Sequence, residues 1–459
     1  MTKDLADGFE DDSVHENQFS VPGSQFSASD AHGGLCIIVA IHDHADSAGA
    51  PTRAAGFVLP MSALLPSPSA GTLGAQTTVS SKEFQLLCAC ARVSLSPEAI
   101  AHIGGATERG VDWHGLLRLA EQHGALPLLA RNLAAHARRI PTEIEQQLRF
   151  AYEGNVRRNL WFASELGRIA DSLSGKHLQA VPYKGPVLAE TIYGDLALRS
   201  FSDLDFLISP SDFEQAKQAL ADLGYRPAEE LSPAVERFWL RKGYERSLDG
   251  AAGKNLVELQ WGVLPCFYAV DLRIGDLLAR SRQTSVGGRE VACLSPEDSL
   301  LVLCLHAAKH LWTRLIWVCD IAETLRTKII DYTLVLSRAR SLGILRIVGV
   351  SFWLTERLLG AVAPQWAQHV ITSDAEVPVL GQKFAARLAK SATYDFDSSE
   401  YFRLILRLRE RGGDRWRYLW RLVWTPGAGD LAVLRLPEAF FPLYRGVRLA
   451  RLARRLFRM

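Results

Sequence analysis

Residues 181–208 have the sequence VPYKGPVLAETIYGDLALRSFSDLDFLI, and the last six of these residues decide the predicted fold. Asp203 and Asp205 lie one residue apart in an apolar run that predicts a buried strand. Because side chains alternate along a strand, both carboxylates point to the same face. Two neighbouring acids on a half-buried surface repel each other, so we expect a cation between them, most simply a pair of Mg²⁺ ions. The alternative is a strand end whose acids face water.

The composition predicts a globular protein with two or three domains. The chain has 459 residues, 48% of them hydrophobic, and a net charge of only +2, which gives no overall electrostatic reason to expect nucleic-acid binding. The seven cysteines have neither the spacing of a disulfide framework nor that of a zinc site, which favours a reducing cytoplasm. The apolar run from Leu35 to Ile41 is too short to span a bilayer.

Five segments follow from the changes in composition and periodicity. They are a Ser-, Gly- and Ala-rich extension expected to be disordered (1–80), an N-terminal helical region (81–175), a central core of strands and helices (176–292), a C-terminal helical region (293–402) and a basic aromatic tail (403–459). Met61 is the only internal methionine, which is the basis of a hypothesis that translation begins there.

The N-terminal region shows helical periodicity. Ser96 followed by a proline predicts a capped helix start, and residues 111–133 predict one or two amphipathic helices joined near Gly124. A further helix is expected over residues 142–174. The histidines of this region, His114 and His123, are predicted to be surface or helix-junction residues rather than metal ligands.

In the core, the spacing of the hydrophobic residues shortens to the period of strands. Strands are expected at Gln179–Lys184 and Asp203–Ile208, and then at Phe238–Leu248 and Asn255–Trp261, the last two joined by a Gly-rich hairpin connection. In the last strand, Glu258 shares a face with its two neighbours at alternate positions. It is therefore a candidate third acid beside Asp203 and Asp205, contributed by a neighbouring strand.

Taken together, these motifs resemble the uncharacterised nucleotidyltransferases of the DNA polymerase β-like superfamily. The residues that carry the resemblance are Lys184-Gly185, Tyr193-Gly194-Asp195, Arg199, Asp203-Leu204-Asp205 and Glu258-Leu259-Gln260-Trp261, with helical signatures at 111–133 and 306–325. The resemblance covers about residues 85–330 well and the C-terminal tail loosely. It implies an α+β fold, in which a small mixed sheet with helices forms the nucleotidyltransferase core between the two helical regions.

The sequence departs from the family pattern in two places. The superfamily usually has Gly-Ser on the first turn, where this chain has Lys184-Gly185, and the family often has histidine where this chain has Gln260. The first departure leaves phosphate contact to the Gly185 amide and the Lys184 ammonium. The second puts in doubt any proton transfer at position 260.

The resemblance implies Mg²⁺-dependent transfer of a nucleoside monophosphate from ATP or another nucleoside triphosphate. Asp203, Asp205 and Glu258 are then the catalytic residues and the ligands of two Mg²⁺ ions, and Glu258 is the candidate to receive the acceptor's proton. The candidate nucleotide-binding residues are Lys184, Gly185, Arg199 and Ser202. For Arg199, a structural ion pair with Asp203 or Asp195 is the alternative.

A second polar cluster follows a predicted helix start at residues 295–298. Its residues recur at three- and four-residue steps and so form a polar stripe on one helix face: His306, Lys309, His310, Thr313 and Arg314. Asp320 continues this stripe if one helix runs through the whole segment. We expect His306, Lys309, His310 and Arg314 to contact substrate or phosphate from the wall opposite the acids. A solvated helix face is the alternative.

The tail carries fourteen arginines against four acids between Arg403 and Arg458, interleaved with aromatic residues. Three interpretations remain open: contact with an anionic membrane surface, contact with an acidic partner or nucleic acid, and packing on the body through the aromatic side chains. No specific nucleic acid is predicted.

The sequence alone predicts a cytoplasmic nucleotidyltransferase. Its acceptor is unidentified, and an association of the family with polysaccharide and peptide natural-product biosynthesis points to a sugar, a peptide or a protein. Three alternatives stay open: a phosphotransferase that uses the same acids, a catalytically degenerate nucleotide-binding scaffold, and a regulator that modifies a toxin partner.

Overall fold

A computed structural model describes residues 81–227, 229–250, 256–395, 398–434 and 436–457. The extension predicted to be disordered, residues 1–80, lies outside these ranges.

The described part of the chain begins with five helices that agree closely with the predicted pattern. They are α1 (Lys82–Cys90), α2 (Pro97–Glu108), α3 (Trp113–Gln122), α4 (Leu126–His136) and α5 (Thr142–Gly175). The Ser96 hydroxyl caps α2 by accepting from the Ala99 N–H. Residues 111–133 form two helices, as one of the two alternatives proposed, because Gly124 takes a left-handed conformation with φ +67° between them.

The central part alternates strands with short helices. Its elements are β1 (Ala180–Pro182), α6 (Pro186–Thr191), β2 (Asp203–Ile208), α7 (Phe213–Asp222), β3 (Arg226–Pro227), α8 (Pro233–Lys242), β4 (Glu245–Asp249), β5 (Leu256–Gln260), α9 (Ile274–Ala279), β6 (Arg282–Val286) and β7 (Arg289–Cys293). Short 3-10 turns within the described residues are Leu196–Leu198, Pro210–Asp212, Cys266–Tyr268 and Glu438–Leu443.

A five-stranded mixed sheet in the order β1-β2-β5-β4-β3 forms the centre. β2 and β5 are parallel, and the other neighbouring pairs are antiparallel. β6 and β7 form a separate hairpin. The predicted α+β class with a small mixed sheet is therefore confirmed.

The predicted strand Phe238–Leu248 is wrong over its first half. Residues 238–242 are the last turns of α8, and β4 begins only at Glu245. The reason lies upstream, where Ser232 accepts from the Val235 N–H and Pro233 occupies the first helical position, so the helix is set before the strand period begins. The predicted hairpin partner is confirmed, since β4 and β5 pair antiparallel; the connection at 251–255 lies outside the described residues.

The two faces of β2 pack against different surroundings. Leu204, Phe206 and Ile208 belong to a buried cluster with residues of α5 and α7, whereas Leu207, on the opposite face, joins the larger core formed by the helical regions. Since alternate side chains share a face, Asp203 and Asp205 point with Leu207 away from the α5–α7 cluster. The sheet therefore has one apolar face and one acid-bearing face.

The rest of the chain is helical. Its helices are α10 (Pro296–Lys309), α11 (Leu315–Thr327), α12 (Tyr332–Leu342), α13 (Leu345–Leu359), α14 (Gln365–Ser373), α15 (Glu376–Ala389), α16 (Ser399–Leu408), α17 (Gly412–Trp424), α18 (Ala428–Val433) and α19 (Tyr444–Phe457). Helices of the N- and C-terminal regions share one hydrophobic core, which continues through Tyr418 and Leu422 of α17.

His123 joins the two helical regions at the end of α3. It is almost fully buried; its Nδ1 accepts from the Leu315 N–H at 3.2 Å, and its Nε2 lies 3.0 Å from the Leu388 carbonyl oxygen. Because a carbonyl only accepts, the proton is on Nε2 and the ring is neutral. Burial lowers the pKa of His123 from 6.5 to about 4. His123 is thus a helix-junction residue, as predicted, and His114 is exposed.

We expect His123 to make stability fall with acidity. The unfolded chain takes up this proton near pH 6.5 and the folded chain only near pH 4, so the contribution is complete above pH 6.5 and is lost as the pH falls to 4. The loss is about 3 kcal/mol from this shift. Urea unfolding at several pH values should show the stability gap between wild type and His123→Gln shrinking by that amount, whereas His114→Gln should follow wild type. A gap that stays constant contradicts this role.

Candidate active site

Neighbouring strands bring carboxylates together on one face of the sheet. β2 and β5 run in parallel register, with Asp205 directly beside Glu258. On β4, Glu245 lies beside Gln260. Because side chains alternate along each strand, Asp203, Asp205, Glu258 and Glu245 all project from the same face. The structure thus brings the three predicted acids together and adds Glu245. Glu245 lay inside a predicted strand, but its face relative to Glu258 depends on the register of β4 against β5, which the sequence did not give.

Gln260 links three of these acids. Its Nε2 donates to Asp205 Oδ1 at 2.9 Å and to Glu258 Oε2 at 2.7 Å, and Glu245 Oε2 lies 3.4 Å away. Its Oε1 accepts from the Tyr183 hydroxyl at 2.7 Å, which fixes the orientation of the amide. An amide does not titrate at ordinary pH, so Gln260 can hold the carboxylates in place but cannot relay a proton.

Lys184 supplies the positive charge of the cluster. It follows β1 by two residues, and its Nζ lies 2.9 Å from Asp205 Oδ1, with only 10% of its side chain exposed. Burial opposes the charge on Lys184, but the nearby carboxylates, Asp205 first, outweigh it and raise the pKa of Lys184 well above its usual value. Lys184 thus places a protein ammonium group directly beside Asp205.

Gly185 allows the backbone to turn directly beneath the acids. Its φ is +54°, and a Cβ at this position would lie 3.2 Å from the Asp203 carbonyl oxygen. A larger residue would meet both an unfavourable left-handed conformation and that close approach. Ser202, the neighbouring predicted nucleotide-binding residue, is exposed just before β2.

Asp205 and Glu258 are buried side by side, whereas Asp203 and Glu245 are half-buried. Burial raises the pKa of Asp205 to about 6, and burial followed by the charges of Glu245 and Asp203 raises the pKa of Glu258. Asp205 Oδ2 is buried and has no hydrogen-bond partner. A carboxylate oxygen left in this state is costly, so the cluster has an unmet demand for a donor or a cation.

The donor set fits Mg²⁺ chemically, since hard carboxylate oxygens are its usual protein ligands. Asp203, Asp205 and Glu258 are the residues that would hold it. In the described ranges, however, no group of three or more His, Cys, Asp or Glu side chains is arranged so that it could hold a metal ion. The Gln260 amide and the Lys184 ammonium lie among the carboxylates instead.

The predicted polar stripe does not lie on one helix. α10 ends at Lys309, and Leu311 and Trp312 take left-handed conformations with φ +49° and +50°, so a new helix begins at Leu315. This tight reversal could not be detected from the three- and four-residue spacing, because neither residue is a usual turn former. The stripe of 306–314 is therefore divided between the end of α10, the reversal and the start of α11.

Parts of the stripe still lie near the acids. Lys309 Nζ donates to the Tyr244 hydroxyl at 2.9 Å, and Tyr244 immediately precedes Glu245 on β4. The Lys309 charge also acts on Glu258, whose pKa it lowers against the larger effect of burial. The end of α10 therefore places one ammonium group within electrostatic reach of the acid-bearing face.

The two histidines of the stripe form a cluster of ring contacts with Trp317. The ring centroids of His306 and His310 are 4.9 Å apart, and those of His310 and Trp317 are 4.8 Å apart. Burial, followed by nearby positive charges that include Lys184, lowers the pKa of both histidines well below 6.5, so their rings are neutral at pH 7. Arg314 is exposed, with its guanidinium carbon 5.9 Å from the Trp317 ring centroid.

Arg199 forms a structural ion pair, but with a different partner from either predicted acid. Its Nε and Nη2 donate to the two carboxylate oxygens of Asp320 at 2.8 and 2.9 Å, and the Tyr193 hydroxyl donates to the same carboxylate at 2.7 Å. Both members of the pair are buried. Asp195 instead caps the following turn by accepting from the Ala197 N–H. The pair ties the segment before β2 to helix α11.

A comparison with protein families agrees with this arrangement. The model of a family described as uncharacterised nucleotidyltransferase matches residues 109–360, a stretch that contains all four acids, Lys184 and the Arg199–Asp320 pair. The chain belongs to this family. Compared with the predicted range of about 85–330, the match begins later and extends further into the C-terminal helices. No curated protein and no solved structure matches the chain.

One further observation bears on location. No helix within the described residues is both long enough and apolar enough to cross a membrane.

We expect the Arg199–Asp320 pair to be essential for stability. Asp320→Ala leaves a buried guanidinium group without its counter-charge and should lower the free energy of unfolding by about 3–5 kcal/mol. Tyr193→Phe removes only one hydrogen bond to the same carboxylate and should cost about 1 kcal/mol. Chemical denaturation measures both. Similar small losses in the two variants would mean that the pair does not fasten α11 to the core.

Proposed function

We propose that the protein is a Mg²⁺-dependent nucleotidyltransferase that transfers a nucleoside monophosphate, AMP from ATP, to an acceptor hydroxyl or similar oxygen. The observation that carries this proposal is the pairing of Asp205 with Glu258 across parallel strands, with Asp203 on the same face and an unsatisfied oxygen on Asp205. Membership of a nucleotidyltransferase family supports the reaction class.

The acids have distinct proposed roles. Asp203 and Asp205 would hold metal ions that accompany the triphosphate, and Glu258 would complete the ligand set. Divalent ions in such a set neutralise charge on the attacking and leaving oxygens of a phosphoryl centre. Burial raises the pKa of Glu258, which suits a carboxylate that accepts the acceptor's proton.

Lys184 is proposed to exchange partners during binding. Its ammonium now compensates Asp205, and a triphosphate beside it offers oxygens of higher charge density. Gly185 lets the chain approach those phosphates without a side chain in the way, and Ser202 is exposed nearby. Release of Lys184 from Asp205 would free the carboxylate for a metal, so the two events favour each other.

The second polar cluster is proposed to contribute unequally. Lys309 is the best placed to contact phosphate or acceptor, because its positive charge is close enough to Glu258 to lower the pKa of that carboxyl group. Neutral His306 and His310 can donate or accept hydrogen bonds there, and Arg314 can meet substrate at the exposed rim. Arg199 is less available to clamp the triphosphate, since two of its nitrogens are bound to Asp320. The acceptor is proposed to be a sugar, a peptide or a protein, on family association alone.

Label transfer tests the reaction class. The full-length protein should be incubated with Mg²⁺, an extract of its own cells, and ATP labelled at either the α- or the γ-phosphate. We expect the α label to enter a product and the γ label to leave as pyrophosphate, with the rate reduced about 100-fold or more in Asp205→Asn, the scale expected when one charge-stabilising group is lost.

The matched control is Glu121→Gln, which changes an exposed acid on α3 and should transfer label like wild type. Transfer of the γ label would indicate a phosphotransferase instead. Absence of α-label transfer by the folded wild-type protein would overturn the proposal in favour of a nucleotide-binding scaffold.

A further inference from the structure

A basic aromatic pocket lies between the C-terminal tail and helix α8, and none of the acids on the sheet face lines it. Its volume is about 410 Å³, which is within the range of small-ligand sites. Four cationic side chains line it, namely Arg241, Lys242, Arg421 and Arg445, against one acid, Glu438. The pocket is therefore strongly cationic.

Most of this positive charge is uncompensated. Arg421 pairs with Asp271, but Arg241, Lys242 and Arg445 form no ion pair within the described residues. Glu438 is already engaged by Arg237 at 2.9 Å. Exposed cations that face a shared concavity repel one another, and an anion bound between them would relieve that repulsion. The charges thus select an anionic ligand.

The aromatic wall of the pocket gives it a second chemistry. Trp420 and Trp424 stack with ring centroids 5.3 Å apart, and the guanidinium of Arg445 lies 5.6 Å from the centre of the Trp424 ring. Phe441 forms the floor of the pocket. Its ring centroid lies 5.4 Å from that of Phe238, so the floor packs against α8. The tail thus packs on the body through part of its aromatic set, and leaves the remainder at the surface.

Large exposed apolar side chains lie next to the lining residues along the chain. Trp416, one helical turn before Trp420, is 58% exposed, and Phe440 and Leu443, next to the lining residues Phe441 and Pro442, are 54% and 57% exposed. Single exposed apolar residues are ordinary, but several next to the lining of one cationic pocket mark an interaction surface.

The combination of groups favours a lipid surface over other anionic partners. Tryptophan prefers the boundary between headgroups and acyl chains, and arginine and lysine are attracted to anionic headgroups. A soluble nucleotide or a nucleic acid would account for the cations and the stacked rings. It would leave Phe440 and Leu443 in water, since neither lines the pocket.

We propose that the basic aromatic pocket and the exposed Trp416, Phe440 and Leu443 beside it dock the protein on an anionic phospholipid membrane surface, with a lipid phosphate in the pocket. This is peripheral attachment, in which the apolar side chains enter only the boundary layer. It is independent of the nucleotidyl-transfer proposal, because it uses none of the acids of the β2–β5 face.

Vesicle flotation of the full chain tests this surface. Binding is expected to vesicles with roughly one third phosphatidylglycerol but not to pure phosphatidylcholine, and it should weaken as salt is added. Arg241→Glu/Lys242→Glu should reduce binding about 20-fold or more, because each basic residue at an anionic surface contributes about fivefold. Both side chains are exposed, so the fold should be retained.

Two further variants separate charge from insertion. Arg139→Glu/Arg149→Glu makes the same charge change at exposed positions of the N-terminal region and should bind like wild type. Trp416→Ala should weaken vesicle binding, although it removes no charge. Lipids with quencher groups on the acyl chain should reduce tryptophan fluorescence in wild type, and less so in this variant.

Three results would overturn the proposal. The first is no binding to anionic vesicles by the folded wild-type protein. The second is vesicle binding that both charge-reversal variants lose equally, which would indicate attraction to the chain as a whole. The third is binding of a single-stranded oligonucleotide that depends on Arg241 and Trp416 while vesicles are ignored, which would assign the pocket to nucleic acid.

Discussion

The mutual repulsion of buried carboxylates is the constraint on which the centre of this protein depends. Asp205 and Glu258 are neighbours on paired strands, with other acids on the same face. Such a cluster stays folded only where positive charge and hydrogen-bond donors meet it, and here the Lys184 ammonium and the Gln260 amide do so. The same constraint favours any ligand that brings cations to the site.

The surrounding helices make specific polar contacts that hold the acid-bearing face in position. The Arg199–Asp320 pair fastens the approach to β2 to helix α11, and Lys309 at the end of α10 reaches Tyr244 on the segment leading into β4. Sheet and helices therefore hold the acids from two sides. Loss of either link would disturb the relative placement of β2 and β4 as well as local stability.

Local patterns predicted the part of the site that lies on regular strands. The alternation of Asp203 and Asp205, and the delivery of Glu258 by a neighbouring strand, follow from a period of two. Contacts set by tertiary folding could not be predicted from local patterns, since the partner of Arg199 lies 121 residues away. The reversal at Leu311 and Trp312 could not be predicted either, because leucine and tryptophan rarely adopt the left-handed conformation that it requires. Glu245 was missed because its place beside Gln260 depends on the register between β4 and β5, which alternation within one strand does not give.

The central proposal is that the acids of β2 and β5 bind a nucleotide together with Mg²⁺. Calorimetric titration of ATP into the full-length protein, with Mg²⁺ and with a chelator, tests it beside Asp203→Asn/Asp205→Asn, a double variant that keeps the size of both side chains. The account predicts binding that requires Mg²⁺ and is lost in a variant that still unfolds cooperatively. Equal binding by the variant, or binding that is indifferent to the metal, would contradict it.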